Sequence, residues 1–159
     1  MGSRKLIIVR DIRGVTLIEL IIAMAILAIL MSGILPLSVM TYKRTQEFEL
    51  RQNLRLIRDA IDGYKKASDE GRIPVDAGAS GYPPTLEVLV KGVETMDPVP
   101  TRLKFLRRIP KDPMTEEGEW GLRAYADEPD SEIWGGEDVY DVYSQSDEEA
   151  LDGSSYRDW

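Results

Sequence analysis

Apolar residues run almost without interruption from Val15 to Met40, and beyond them the pattern opens into a spaced stripe. The first stretch, VTLIELIIAMAILAILMSGILPLSVM, contains one charged residue, Glu19, and one proline, Pro36. Its 26 residues reach roughly 39 Å as a helix rising about 1.5 Å per residue, more than the ~30 Å of a bilayer core. The pattern therefore predicts a transmembrane helix over 15–40. A discarded signal peptide has a shorter apolar core and a small-x-small cleavage site at its far end, and neither is present. Pro36 lacks an N–H and clashes with the carbonyl four residues back. Ser32 and Gly33 precede it, so the pattern predicts a kink or a loosened turn there.

From residue 41 to about 70 the helix is predicted to continue in amphipathic form. Leu50, Leu54, Ile57, Ile61 and Tyr64 recur at steps of four and three, with Arg51, Arg55, Arg58, Asp59, Asp62 and Lys65 between them. Two heptads are too few for a coiled coil, so this face is expected to pack on the chain's own globular part. Asp69-Glu70-Gly71-Arg72-Ile73-Pro74 supplies the stop.

Residues 71–159 hold eight of the nine prolines, with short apolar runs between turn residues. Leu86–Val90 reads as a short helix with Thr85 as its cap. Trp120–Tyr125 and Asp138–Tyr143 alternate with period two, as half-buried strands do, around an acidic connection over Ala126–Gly136. The predicted fold class is α+β: one long helix against a small antiparallel sheet of about three strands, too small to be stable without the helix stripe.

Charge and missing residue types narrow the function. Residues 1–14 hold four cations against one carboxylate, a net of +3, which leaves −11 for the remainder of a chain whose total is −8. A basic start, an apolar segment and an acidic body form the layout of a membrane protein with a cytoplasmic N-terminus and an exported domain. Net acidity argues against nucleic acid as a partner. With no cysteine and no histidine, disulfides, thiolate metal sites and imidazole bases are all excluded. A tethered enzyme is the alternative class, but its candidate acids, Glu116, Glu117, Asp127 and Asp130, fall in predicted loops without a nucleophile–base pattern.

Glu19 is the informative charge. A carboxylate near the start of a membrane helix is costly unless something satisfies it. Cleavage between Gly14 and Val15 would create an α-amino group about one helical turn away. Between neighbouring chains, Glu19 would then neutralise the next subunit's Val15 amine inside an apolar core, where attraction is strong.

The segment Arg13-Gly14-Val15-Thr16-Leu17-Ile18-Glu19-Leu20, with Pro36 further on, resembles the leader of type IV pilins and pseudopilins. The resemblance implies that a prepilin peptidase removes residues 1–14 and methylates Val15, with Glu19 and Pro36 serving assembly. Three later segments resemble, in order, motifs of the major (G-type) pseudopilins of type II secretion systems: Gly81-Tyr82-Pro83-Pro84-Thr85, Phe105 through Pro113, and Asp141-Val142-Tyr143-Ser144. That family implies a homo-oligomeric periplasmic filament that works with minor pseudopilins and an inner-membrane assembly platform. Its energy comes from a separate ATPase, in keeping with the lack of a phosphate-binding loop here. A type IV pilus subunit for adhesion, motility or DNA uptake is the alternative within the same resemblance. The family also implies a Ca²⁺ in the acidic tail, held by aspartates and backbone carbonyls, for which Asp147 and Asp152 are the candidates. The other reading of this tail is a solvated loop pinned by Tyr156 and Trp159.

Overall fold

The computed structural model describes residues 15–129, 131 and 133–159, with nothing said of the side chains of residues 33–38. Helix α1 spans Leu17–Asp69. After it come α2 (Leu86–Lys91), strands β1 (Val93–Glu94), β2 (Arg102–Leu103), β3 (Trp120–Arg123) and β4 (Asp141–Ser144), and a 3-10 turn at Tyr156–Asp158. The chain divides into two compact units, Met1–Thr41 and Tyr42–Trp159, so the second half of α1 belongs to the globular unit.

The stripe expected on α1 is the floor of that unit's core. Leu50, Leu54, Ile57, Ile61 and Tyr64 are all buried, together with Ala60 and Ala67 on the same face. Against them pack Ile73, Leu86, Leu89, Leu106, Trp120, Val139, Val142 and Tyr156. The helix stops where its sequence says it should. Gly71 takes φ +66°, Gly71 N–H donates to Ser68 O at 2.9 Å, and Arg72 N–H donates to Ala67 O at 2.9 Å. This paired closure is the Schellman motif, and it seats the buried Ile73 under the last turn.

The α+β architecture is as the pattern predicts, with the strands arranged as two separate antiparallel pairs, β1–β2 and β3–β4. The stretch Asp97-Pro98-Val99-Pro100 lies between β1 and β2. The pair is two residues on each strand, and Thr95 N–H adds one bond beyond it, to Thr101 O at 2.8 Å, before the prolines, which cannot donate to a ladder. In the second pair Gly121 stands opposite Tyr143. A Cβ at Gly121 would come within 2.3–2.6 Å of three atoms of the Tyr143 ring, so only glycine lets the ring lie here, and the Arg123 guanidinium stacks on that ring 4.3 Å from its centroid.

Thr85 occupies the N-cap of α2 with extended backbone but makes no capping bond through its side chain. Its hydroxyl instead engages Glu87, whose carboxyl is held below its ordinary value first by its own backbone N–H and then by Thr85. The expected cap is thus turned toward a first-turn carboxylate, which serves the same helix end.

The short motifs of the globular part prove to be fasteners. Val139 N–H donates to Pro83 O at 2.8 Å, and Tyr82 packs on Tyr125 and edge-on to Tyr140 at centroid distances of 5.6 and 5.1 Å. Asp112, fully buried, accepts from the Ser144 hydroxyl at 2.7 Å and from Met114 N–H at 2.9 Å. Trp120 Nε1 donates to Pro110 O at 2.8 Å. The segments 81–85, 105–113 and 141–144, distant in sequence, are tied by these contacts to one another or to residues in or beside β3 and β4.

Candidate functional site

The N-terminal unit presents an apolar helix whose described side chains all face outward. Leu17, Ile18, Ile21, Leu27, Ile29 and Met31 are each more than half exposed in the single chain. An apolar surface of this kind, broken by the single carboxylate of Glu19, marks contact with lipid or with other protein. Among the described residues no helix is long and apolar enough to cross a membrane. The span expected over 15–40 takes in positions 33–38, whose side chains lie outside the described residues.

The start of α1 shows how Glu19 is placed. Val15, 71% exposed, precedes the helix by two residues. Thr16 is the N-cap: its Oγ1 accepts from Glu19 N–H at 3.3 Å and its carbonyl accepts from Leu20 N–H at 3.1 Å. Thr16-x-x-Glu19 is therefore the sequence of a capping box, a signal that the reading of Glu19 as an intramembrane charge overlooked. It puts the carboxylate in the first turn, at the positive end of the helix dipole. Gly14 lies outside the described residues, and Pro36 falls within the bounds of α1 with its side chain outside them.

The second assembly of polar groups joins the C-terminal tail to α1, within the globular unit. Along one face of the helix, Lys43, Glu47, Arg51 and Arg58 each take hold of a tail or strand residue. Lys43 Nζ lies 3.5 Å from Glu148 Oε2 and 5.7 Å from the centre of the Tyr156 ring. Glu47 Oε1 accepts from Leu151 N–H at 2.7 Å and from the Tyr156 hydroxyl at 3.0 Å. The Arg51 guanidinium sits 3.9 Å over the Trp159 ring and 3.5 Å from Asp152 Oδ2. Arg58 chelates Asp141 through two bonds of 2.7 and 3.2 Å, then donates to Val142 O at 3.2 Å and to a main-chain oxygen of Trp159 at 2.6 Å.

The tail is also braced internally. Ser154 Oγ accepts from Trp159 Nε1 at 2.7 Å and donates to Asp152 Oδ1 at 2.6 Å. The Ser154 hydroxyl, ahead of its backbone N–H and the nearby Arg51, holds the Asp152 carboxyl below its ordinary range. Arg157 closes on Asp147 at 2.6 Å. Tyr156 is fully buried, edge-on to Trp159 at 5.1 Å. Its phenol is pushed well above 10, by burial first and by Glu47 second.

Asp147 and Asp152, the residues expected to face calcium, thus each face an arginine. Among the described residues no group of three or more His, Cys, Asp or Glu side chains is arranged to hold a metal ion. Of the acids considered for an enzyme, Asp127 holds its own loop, accepting from Ala124 N–H at 2.7 Å and Gly135 N–H at 3.1 Å. Asp130 lies outside the described residues. Arg51 and Arg58 lie among the solvated residues between stripe positions, with Lys43 and Glu47 ahead of the stripe, and sequence offered no way to pair them with residues a hundred positions later.

Residues 9–35 match the family model for the prokaryotic N-terminal methylation motif. The N-terminal part of the chain therefore carries a type IV pilin-like prepilin signal, which implies a membrane-anchored N-terminus and processing by a prepilin peptidase. No curated protein and no solved structure matches the chain.

Proposed function

We propose that this chain is a structural subunit of a periplasmic pseudopilus that drives protein export through a type II secretion system. The observation that carries the reading is the methylation motif over residues 9–35, set at the head of a helix of 53 residues. A long N-terminal helix with a small antiparallel α+β region is consistent with the pilin fold. The choice of pseudopilus over type IV pilus is supported by the resemblance of segments 81–85, 105–113 and 141–144 to the major pseudopilins.

In this reading a prepilin peptidase cuts after Gly14 and methylates Val15. The new ammonium then stands just ahead of the Thr16 cap, at the positive end of the helix dipole, where it is electrostatically disfavoured. Glu19 offsets that cost, and in the filament the Glu19 of one subunit neutralises the Val15 amine of its neighbour. The exposed apolar face of residues 17–32 first anchors the subunit in the inner membrane and then forms the filament core. Pro36 supplies the loosened turn that lets neighbouring helices settle. The globular unit projects into the periplasm, and the minor pseudopilins and the inner-membrane platform act on the same subunit.

Intact-mass analysis of membrane-extracted protein tests the processing. The expected species lacks residues 1–14 and carries one added methyl group. A full-length chain persisting beside an active prepilin peptidase would sink the assignment. In-frame deletion of the gene separates the two filaments. Exported proteins trapped in the periplasm support the pseudopilus, whereas loss of surface fibres with secretion intact overturns it in favour of a pilus.

A further inference from the structure

The tail carboxylates are met from the helix side by cations that belong to the protein. Lys43 stands against Glu148 and Arg51 against Asp152, while Arg157, inside the tail, stands against Asp147. Glu47 contributes an acceptor where the tail offers two donors, Leu151 N–H and the Tyr156 hydroxyl. The spacing 43, 47, 51, 58 keeps these groups along one side of α1, where they meet the tail and, at Arg58, β4 as well.

A divalent cation in a carboxylate loop does two things: it cancels mutual repulsion and ties the loop to its surroundings. Both are done here by side chains. A calcium ion on Asp147 and Asp152 would have to displace two guanidinium groups, and a Ca²⁺ next to Arg51 or Arg157 would meet like charge at short range. The oxygens of Asp152 are further engaged by the Ser154 hydroxyl at 2.6 Å and its N–H at 3.0 Å. The donor set does not fit the ion.

We propose that Lys43, Arg51 and Arg157, with Glu47 between them, hold the tail in place of a divalent cation, so that the globular unit is stable without calcium. This inference stands whether the filament is a pseudopilus or a pilus.

The test is thermal melting of the full chain in detergent micelles, in about 1 mM calcium and in chelator. A bound ion present at about one hundred times its dissociation constant raises the melting temperature on the order of 10 °C for a unit of this size. The expected result is the same melting temperature in both buffers. Terbium luminescence excited through tryptophan, with Trp159 on the tail as reporter, should show no component that calcium competes away. Arg51→Ala should melt lower by the same amount in both buffers. A rise in calcium overturns the proposal, as does an Arg51→Ala chain that melts like the parent.

Discussion

Arg58 is the residue whose removal should cost the globular unit most for the fewest atoms. It lies one turn past Leu54 on α1 and makes four bonds, two to Asp141, one to Val142 O and one to Trp159. A hydrogen bond to a charged group contributes about 1.5–3 kcal/mol, but four bonds from one guanidinium share a single desolvation and are not additive. Breaking a buried pair by deleting one partner costs about 3–5 kcal/mol. Here the side chains of Arg58 and Asp141 are 37% and 25% exposed, so water screens and partly replaces what is lost. The net expectation for Arg58→Ala is about 3 kcal/mol. At about 4 °C per kcal/mol this lowers the melting temperature by roughly 10 °C. Arg58→Lys should recover part of the loss, because an ammonium reaches one partner but cannot chelate Asp141. Arg55→Ala is the internal control: it sits on the same helix, and among the described residues it makes no ion pair. Its effect should stay within about 0.5 kcal/mol. The measurement is far-UV circular dichroism melting of the three variants in micelles, backed by urea unfolding. If Arg58→Ala and Arg55→Ala melt within about 2 °C of each other, Arg58 does not fasten β4 and the tail.

Two further predictions follow from the two ends of the chain. Glu19→Ala should insert in the membrane as well as the parent, since it removes an apolar-segment charge, yet filament yield should fall sharply because the neighbouring Val15 amine loses its partner. Native filament yield from this variant would rule out pairing between subunits. At the other end, Tyr156 has its folded pKa raised above the unfolded value near 10, so its contribution is fully present below about pH 10 and is lost as pH rises beyond that. The parent should therefore lose more stability than Tyr156→Phe between about pH 9 and pH 12, and absorbance titration near 295 nm should show one phenol ionising last. Equal losses would mean that Glu47 and burial do not hold the proton.

What the sequence determined by itself is the periodic and the local. The core face of α1 was legible because a 3.6-residue period is written into one segment, and Leu50 through Tyr64 are buried as that period requires. The Gly71 stop, the strands at β3 and β4, and the methylation signal were legible for the same reason, since each depends on neighbours a few residues apart. Tertiary structure alone decided the pairings. Nothing in the period of α1 distinguishes Arg51 and Arg58, which grip the tail, from Arg55, which does not. The splitting of the strands into two pairs was likewise settled by packing, with Gly121 placed where the Tyr143 ring must pass. The tail shows the difference best. The family resemblance implied calcium on its aspartates, and only the fold brought Glu47, Arg51 and Arg58 beside residues a hundred positions away. A charge on a solvated face carries no period and no local partner, so its role is set by whatever the completed core carries up against it.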